Sequence, residues 1–269
     1  MFSLITFLHF SDFHLLPERG MLRDGIDPCK KVERIIDIAG EMDVKPAFSI
    51  ITGDISQNGS KTGYEIAREY ISQIEALGGP VLPAVGNVDV RRNFRRILLG
   101  EPDHDDVPCN YNRTIGGLHV IILDSQAPGS EMGSFEGKQL PWLEKELQGR
   151  AEPNIIAFHH PVFEYPLLRE TKLEIFDPAV SCRFKEILSE ANVAAVLCGH
   201  LHQNLITSYG GVKHITACGV LSELVQTERE SRVYDSSGFN ILAYRNGSIT
   251  VRPVIHSEGK RLARVVQRE

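Results

Sequence analysis

Five short apolar runs in this chain each stop at residues able to hold a metal ion, and this limits the fold more than any other feature. Residues 4–10 lead into Asp12-Phe13-His14. Residues 47–52 end at Gly53-Asp54, and residues 81–85 at Gly86-Asn87-Val88-Asp89. Further on, residues 154–158 run into His159-His160-Pro161, and residues 193–198 into Gly199-His200-Leu201-His202. Apolar runs of strand length with no polar alternation read as strands covered on both faces. In open α/β sheets, ligands bind beyond the carboxyl ends of the strands. The five polar ends are therefore expected to meet in one place.

The intervening stretches carry helical spacing. Val32, Ile35, Ile36 and Ala39 fall on one side of a helix, and so do Ala67, Tyr70, Ile71, Ile74 and Leu77. Thr62 and Glu65 predict a capping box for the second helix, which Gly78-Gly79-Pro80 stops. Residues 118–123 read as a further strand, and residues 140–147 and 179–190 as helices. After Gly199 the texture changes to strands over 205–208, 212–217, 239–244 and 248–255. Plain turns stand at Tyr209-Gly210-Gly211 and Arg245-Asn246-Gly247. The polar stretch 222–237 is expected to be a surface loop. No linker interrupts the pattern, so one α/β domain over residues 1–269 is expected, with core motifs in 12–202 and a β-rich part in 203–256.

Composition excludes several function classes. The chain is 42% hydrophobic and 24% charged, close to globular averages. Its 29 basic and 35 acidic residues leave a net charge of −6, the wrong sign for a broad nucleic-acid or anionic-membrane surface. The five scattered cysteines include no CxxC pair, which points away from a disulfide framework and toward the cytoplasm. The apolar start has no basic flank or small-residue cleavage site and reads as a buried first strand. No apolar stretch reaches the length needed to cross a bilayer. A homo-oligomer remains open.

Aspartate, an asparagine oxygen and imidazole, without thiolate, suit Mn, Fe, Co or Zn. The candidates Asp12, His14, Asp54, Asn87, His159, His200 and His202 are too many for one tetrahedral site. They suit two ions sharing a carboxylate, which at ~3.5–4 Å apart can clamp both oxygens of a phosphoryl transfer. If Asp12-Phe13-His14 and His200-Leu201-His202 are extended, each i, i+2 pair points one way and can reach one centre.

The order Asp-x-His, Gly-Asp, Gly-Asn-x-Asp, His, Gly-His-x-His resembles the calcineurin-like metallophosphoesterases over residues 12–202. Thr52-Gly53-Asp54-Ile55 with Gly59 and Tyr64 is similar to the class III cyclic-nucleotide phosphodiesterases and the related glycerophosphodiesterases. So is Leu123-Asp124-Ser125 leading to Gly133 and Gln139-Leu140-Pro141-Trp142-Leu143. The resemblance implies a four-layer α/β/β/α sandwich with two mixed β-sheets and two divalent metal ions, Mn or Fe first, with Zn or Co as alternatives. By carry-over, Asp12, His14 and His202 hold one ion, Asn87, His159 and His200 the other, and Asp54 bridges them. His159 is preferred to His160 because the family ligand lies two residues before the proline. The resemblance further implies a bridging hydroxide as nucleophile, with Asn87, His14 and His202 at the substrate phosphate. The substrate would be a small phosphodiester, either a 3',5'-cyclic nucleotide or a glycerophosphodiester. A phosphomonoesterase or nucleotide pyrophosphatase on the same site is the alternative enzyme. A metal-loaded scaffold is the non-enzymatic one.

One position departs from the subgroup. Its members have histidine between the asparagine and aspartate of the third motif, where this chain has Val88. That histidine is assigned to bind phosphate and assist the leaving group, and general-acid help is worth about 10²–10⁴-fold. His160, Arg91, Arg92 or the substrate itself could supply the role. The lipid A UDP-diacylglucosamine pyrophosphatases, which resemble this family, carry arginine there. The retromer scaffold subunit is the precedent for a non-catalytic use of the fold, but its ligand set is degraded, whereas all seven positions are filled here. Arg91, Arg92, Arg95 and Arg96 are expected to be mostly a solvated helix face, with one or two near its start reaching phosphate. Cys198 and Trp142 read as core. Asp103, His104, Asp105 and Asp106 read as an acidic surface loop.

Overall fold

Runs with apolar residues at successive positions form strands only where both faces are covered, and this chain covers them by stacking two sheets. The computed structural model describes residues 4–102, 107–127, 129–163, 175–226, 230–259 and 261–267. In the first sheet, β1 (Ile5–Phe10), β2 (Phe48–Ile51) and β3 (Val81–Pro83) run parallel, with Phe7 opposite Phe48 and Ile50 opposite Leu82. The second sheet is built from β4 (Tyr111–Ile115), β5 (Leu118–Ile122), β6 (Asn154–Ala157), β7 (Val193–Cys198), β8 (Ile206–Tyr209) and β9 (Val212–Thr216), in the order β4-β5-β6-β7-β9-β8. Its four central strands are parallel, and β4 and β8 are antiparallel edges. The hairpin of β12 (Ser237–Arg245) and β13 (Ser248–His256) returns to the first sheet, where β12 pairs antiparallel with β1. Both sheets are mixed.

The inner faces meet in a core that contains Phe7, Phe48, Ile50, Leu82, Val120, Ile155 and Leu197. The Phe7 and Phe48 rings stack at 4.7 Å, and each fully buried side chain of this size contributes ~1.5–3 kcal/mol. On the outer face of the first sheet lie α1 (Pro28–Glu41) and α2 (Lys61–Leu77), which bury Val32, Ile35, Ala67, Tyr70 and Ile74 as their spacing requires. On the outer face of the second lie α4 (Gln139–Leu147) and α5 (Pro178–Ser189), which bury Leu143, Phe184 and Leu188. A short α3 (Arg91–Phe94) follows the third strand end. The layers are therefore α/β/β/α, as expected. Asp27 and Asp177 cap α1 and α5, each accepting two backbone N–H bonds ahead of a proline in the first turn.

Several local expectations need correction. The cap of α2 is Ser60, whose hydroxyl accepts from Gly63 N at 3.0 Å, so Thr62 already lies inside the helix and Glu65 is beyond capping reach. The described residues of 222–237 are not a surface loop. They supply β10 (Glu223–Gln226) and β11 (Glu230–Tyr234), which join β14 (Leu262–Gln267) in an antiparallel sheet ordered β10-β11-β14. β10 and β11 are half-buried and interrupted by charged residues, so no apolar face marked them. Neither β4 nor β14 was expected. Arg91 and Arg95 are buried: Arg91 Nε donates to Asp124 at 2.7 Å, and Arg95 donates to Glu101 and to the Val107 and Pro108 carbonyls. Cys198 is core as expected, while Trp142 is half-buried against the outer cluster. The expected acidic loop 103–106 lies outside the described residues. All five cysteines are free thiols, and no described helix is long and apolar enough to cross a membrane.

His214 on β9 yields a pH prediction. It is buried between the ring edges of Phe163 and Tyr209, and burial lowers its pKa to about 4. In the unfolded chain it titrates near 6.5, so below that pH the unfolded state binds the proton first and native stability falls as pH drops from about 6.5 to 4. Urea unfolding of His214→Leu should lose less stability over that window than the parent, by about 3 kcal/mol at most. Parallel declines would clear His214 of the effect.

Candidate metal centre

The parallel strands of both sheets deliver their carboxyl ends to one spot. Asp12 and His14 follow β1, Asp54 follows β2 and Asn87 follows β3, while His159 follows β6 and His200 and His202 follow β7. Backbone hydrogen bonds zip these ends together: Asp12 N to Gly53 O, His14 N to Asp54 O, and Gly199 N to His159 O. Gly86 makes the closest approach possible, since a Cβ there would lie 2.2 Å from Asp54 Oδ1.

All seven sequence-derived candidates meet in the structure. On one side, His14 Nε2 and His202 Nε2 are 3.1 Å apart, with Asp12 Oδ1 at 3.9 and 3.4 Å from them. On the other, His159 Nε2 lies 2.9 Å from Asn87 Oδ1 and 3.3 Å from His200 Nδ1, and Asn87 Oδ1 is 3.2 Å from His200 Nδ1. Asp54 stands between the two groups: its Oδ2 is 3.6 Å from His14 Nε2 and its Oδ1 is 3.4 Å from His159 Nε2. His160, set aside in favour of His159, turns its Nδ1 to Ser125 Oγ at 2.9 Å, although its ring still borders His200.

The geometry differs from expectation in one respect. Asp12, His14, Asp54, His200 and His202 all hold left-handed backbone, with φ between 49 and 66°. The two x-separated pairs are therefore not extended, and His200 and His202 part, one to each group. Non-glycine residues in this region carry strain of order 1–3 kcal/mol each, and such strain clusters at functional sites.

Acceptors behind the rings fix which nitrogen faces inward. His159 Nδ1 donates to Thr52 O at 2.7 Å and His202 Nδ1 to Ser222 O at 3.0 Å. His14 Nδ1 donates to Gln57 Oε1 at 2.9 Å, and Arg23 also donates to that atom, which identifies it as oxygen. Each Nε2 is thus the nitrogen turned inward, the one that would offer its lone pair to a cation. Burial lowers the pKa of His14 and of His200, the latter to about 3. Burial opposes ionisation of Asp12, yet His202, His159 and His14 hold its carboxyl far below the usual range, and Asp12 in turn outweighs burial to raise His202. Burial pushes Asp54 up against the pull of His159.

Sequence reasoning missed the residues that hold this geometry. Asp89 is buried and accepts hydrogen bonds from the Ile55, Ser56 and Gly86 N–H groups and from the Tyr64 hydroxyl. It ties the Asp54 loop to the Asn87 loop. Its place inside the third motif was the only signal. Gln126 spans the same loop, donating to Gly86 O and Asp89 O, and Asp124 fixes it by accepting from Gln126 N and Arg91 Nε. Arg91 is thus a brace and does not face a phosphate site. Val88 points no polar atom into the centre, but its N–H holds Asp54 Oδ1 at 3.1 Å. Beside it opens a cleft of about 340 Å³ lined by Asn87, Gln126, Ala127, Gly129, Ser130 and Glu131.

A sandwich with aspartate and histidine groups at the shared carboxyl ends of its two sheets is the architecture of a metal-dependent phosphoesterase. The calcineurin-like phosphoesterase model matches residues 5–204, and the chain belongs to that family. It is 32% identical over 209 residues to a probable cyclic nucleotide phosphodiesterase of Rhodococcus erythropolis, covering 76% of this chain and 67% of that protein. It is 30% identical over 207 residues to a cAMP/cGMP dual specificity phosphodiesterase of Mycobacterium tuberculosis, covering 76% of this chain and 64% of that one. The chain thus matches about two thirds of the length of these relatives. Among solved structures, the purple acid phosphatase PPD1 of yellow lupin shares the fold at TM-score 0.63 and 15% identity, over 94% of this chain and 52% of that one.

Replacing Asp89 tests the brace. Asp89→Ala strands four buried donors, each costing about 1–3 kcal/mol, and should lower stability by about 3 kcal/mol or more. Metal uptake should fall with it, read by elemental analysis at a temperature where the variant is still folded. A variant of parental stability would show that these bonds are dispensable.

Proposed function

We propose that the protein is a dinuclear metal-dependent phosphodiesterase that hydrolyses a small diester, a 3',5'-cyclic nucleotide in the first instance and a glycerophosphodiester in the second. The observation that carries this reading is Asp54, whose two oxygens face two separate groups of donors. The named activities of the bacterial relatives support the diester class.

The residues fit divalent cations on three counts. Asp12 Oδ1 is buried and has no hydrogen-bond partner among the described residues. His14 Nε2 and His202 Nε2 both turn inward 3.1 Å apart, a position where a cation would take the place of a shared proton. The donor set is oxygen and imidazole without thiolate, suited to Mn or Fe, with Zn or Co next. Asp12, His14 and His202 would hold one ion, Asn87, His159 and His200 the other, and Asp54 both. When bound, the pair would supply Lewis-acid charge at the phosphoryl oxygens and make water acidic enough to act as nucleophile near neutral pH.

The chain's own groups do the rest. Asn87 turns its oxygen to His159 and His200, which leaves its amide N–H groups for a phosphoryl oxygen at the mouth of the cleft. His14 and His202 border the same position. Val88 gives no proton to a departing alkoxide, so with these substrates its departure would rely on the metal ions or on another donor. Seven donors kept in place, five of them on strained backbone, support a hydrolase over a scaffold.

Hydrolysis of bis-p-nitrophenyl phosphate with Mn²⁺ should be abolished by chelation and by Asn87→Ala. Faster turnover of p-nitrophenyl phosphate or a nucleotide pyrophosphate would favour the alternative enzyme, and no turnover despite two bound ions would favour the scaffold. Val88→His should speed a cyclic nucleotide by about 10²-fold while changing the p-nitrophenyl diester little. An equal gain on both would show that leaving-group protonation is not what valine lacks.

A further inference from the structure

Arg23 sits behind His14 on the opposite flank from Val88, in a tight turn. Arg23 and Ile26 exchange both backbone hydrogen bonds at 2.9 Å. Its guanidinium donates to Gln57 Oε1 at 2.5 Å, the atom that also orients His14. Among the described residues that amide is its only side-chain partner, and no carboxylate pairs with it. Arg23 and Gln57 are both half-buried, so this flank opens to solvent beside the centre. The carboxylates of Asp54, Asp24 and Asp12 act on the guanidinium, while burial and Arg264 oppose its charge.

Asp54 and Asp12 are the carboxylates that the function proposed above commits to cations. With those charges neutralised, Arg23 faces a centre of its own sign. Asp24 is then the carboxylate left acting on it, already engaged by Arg264, so a half-buried arginine with donors to spare and solvent beside it is placed to take an anion. A guanidinium presents five N–H donors in a planar fork that fits phosphate oxygens in pairs, and Gln57 occupies one edge of it.

We propose that Arg23 is an anion-binding residue that reaches the phosphoryl group of the substrate from the His14 flank, making the charge-assisted contact that Val88 cannot make from the other. The inference rests on the diesterase reading in two respects, the cations at Asp12 and Asp54 and the phosphoryl nature of the anion. Arg264 positions the turn: from β14 it donates to Asp24 Oδ1 at 3.0 Å, next to Arg23. The polar C-terminal sheet thus has a task at the site.

The test measures affinity for inorganic phosphate and Mn²⁺ content on the full-length, Mn-loaded protein. Arg23→Gln should weaken phosphate about 10-fold or more with metal content unchanged. Arg23→Lys should recover part of the loss, as a point charge without the fork. Arg264→Gln should weaken phosphate less than Arg23→Gln, without removing the guanidinium. Unchanged phosphate affinity in metal-loaded Arg23→Gln overturns the proposal. So does a loss that tracks metal content, because Arg23 would then act only by orienting His14 through Gln57. Arg23-dependent phosphate binding in a protein that hydrolyses no diester supports this inference and overturns the diesterase reading. Diester hydrolysis with phosphate affinity indifferent to Arg23 does the reverse.

Discussion

The carboxylate of Asp89 is the constraint on which the centre depends. Two parallel strands end side by side, and each end leaves backbone N–H groups that must be satisfied inside the protein. Asp89 gathers Ile55, Ser56 and Gly86 N–H onto one side chain, with Tyr64 beneath it. That holds Asp54 against the Asn87 loop, and only glycine at position 86 tolerates the resulting closeness. The opposite wall, His159 and His200, comes from the other sheet. The apolar core between the sheets therefore sets the distance across the site as surely as any polar contact does.

The parts legible in the sequence were those with a strong physical signature. Buried parallel strands are covered on both faces and run mostly apolar, so their runs and ends could be read directly. The seven convergent donors followed from those ends. The second sheet's β4 and the β10-β11-β14 sheet lay hidden because short strands that are only partly buried and mix polar with apolar residues carry no apolar run. Arg91 and Arg95 misled for a related reason: four arginines in six positions look solvated, and nothing local shows that Asp124 and two carbonyls bury them. The carbonyls that orient the histidines leave no trace in sequence at all, since every residue has one.

Charge explains why the motif arginines and Arg23 differ. Arg91 meets a fully buried aspartate and is spent on structure. Arg23 meets a neutral amide and keeps its charge available. Arg91 is buried and Arg23 half-buried, so exposure and partner together separate a brace from a ligand contact. The valine at position 88 then becomes intelligible as a shift of the positive contact across the centre, from one flank to the other.

The left-handed backbone at Asp12, His14, Asp54, His200 and His202 has a consequence for how this chain can drift. Glycine removes that steric strain of about 1–3 kcal/mol at an entropic cost of about 0.5–1 kcal/mol, so genetic selection for heat tolerance alone would reward it at these places. The same exchange erases a donor. Thermal robustness and chemistry thus compete at five codons, and a lineage that stopped using the centre should abandon those side chains first.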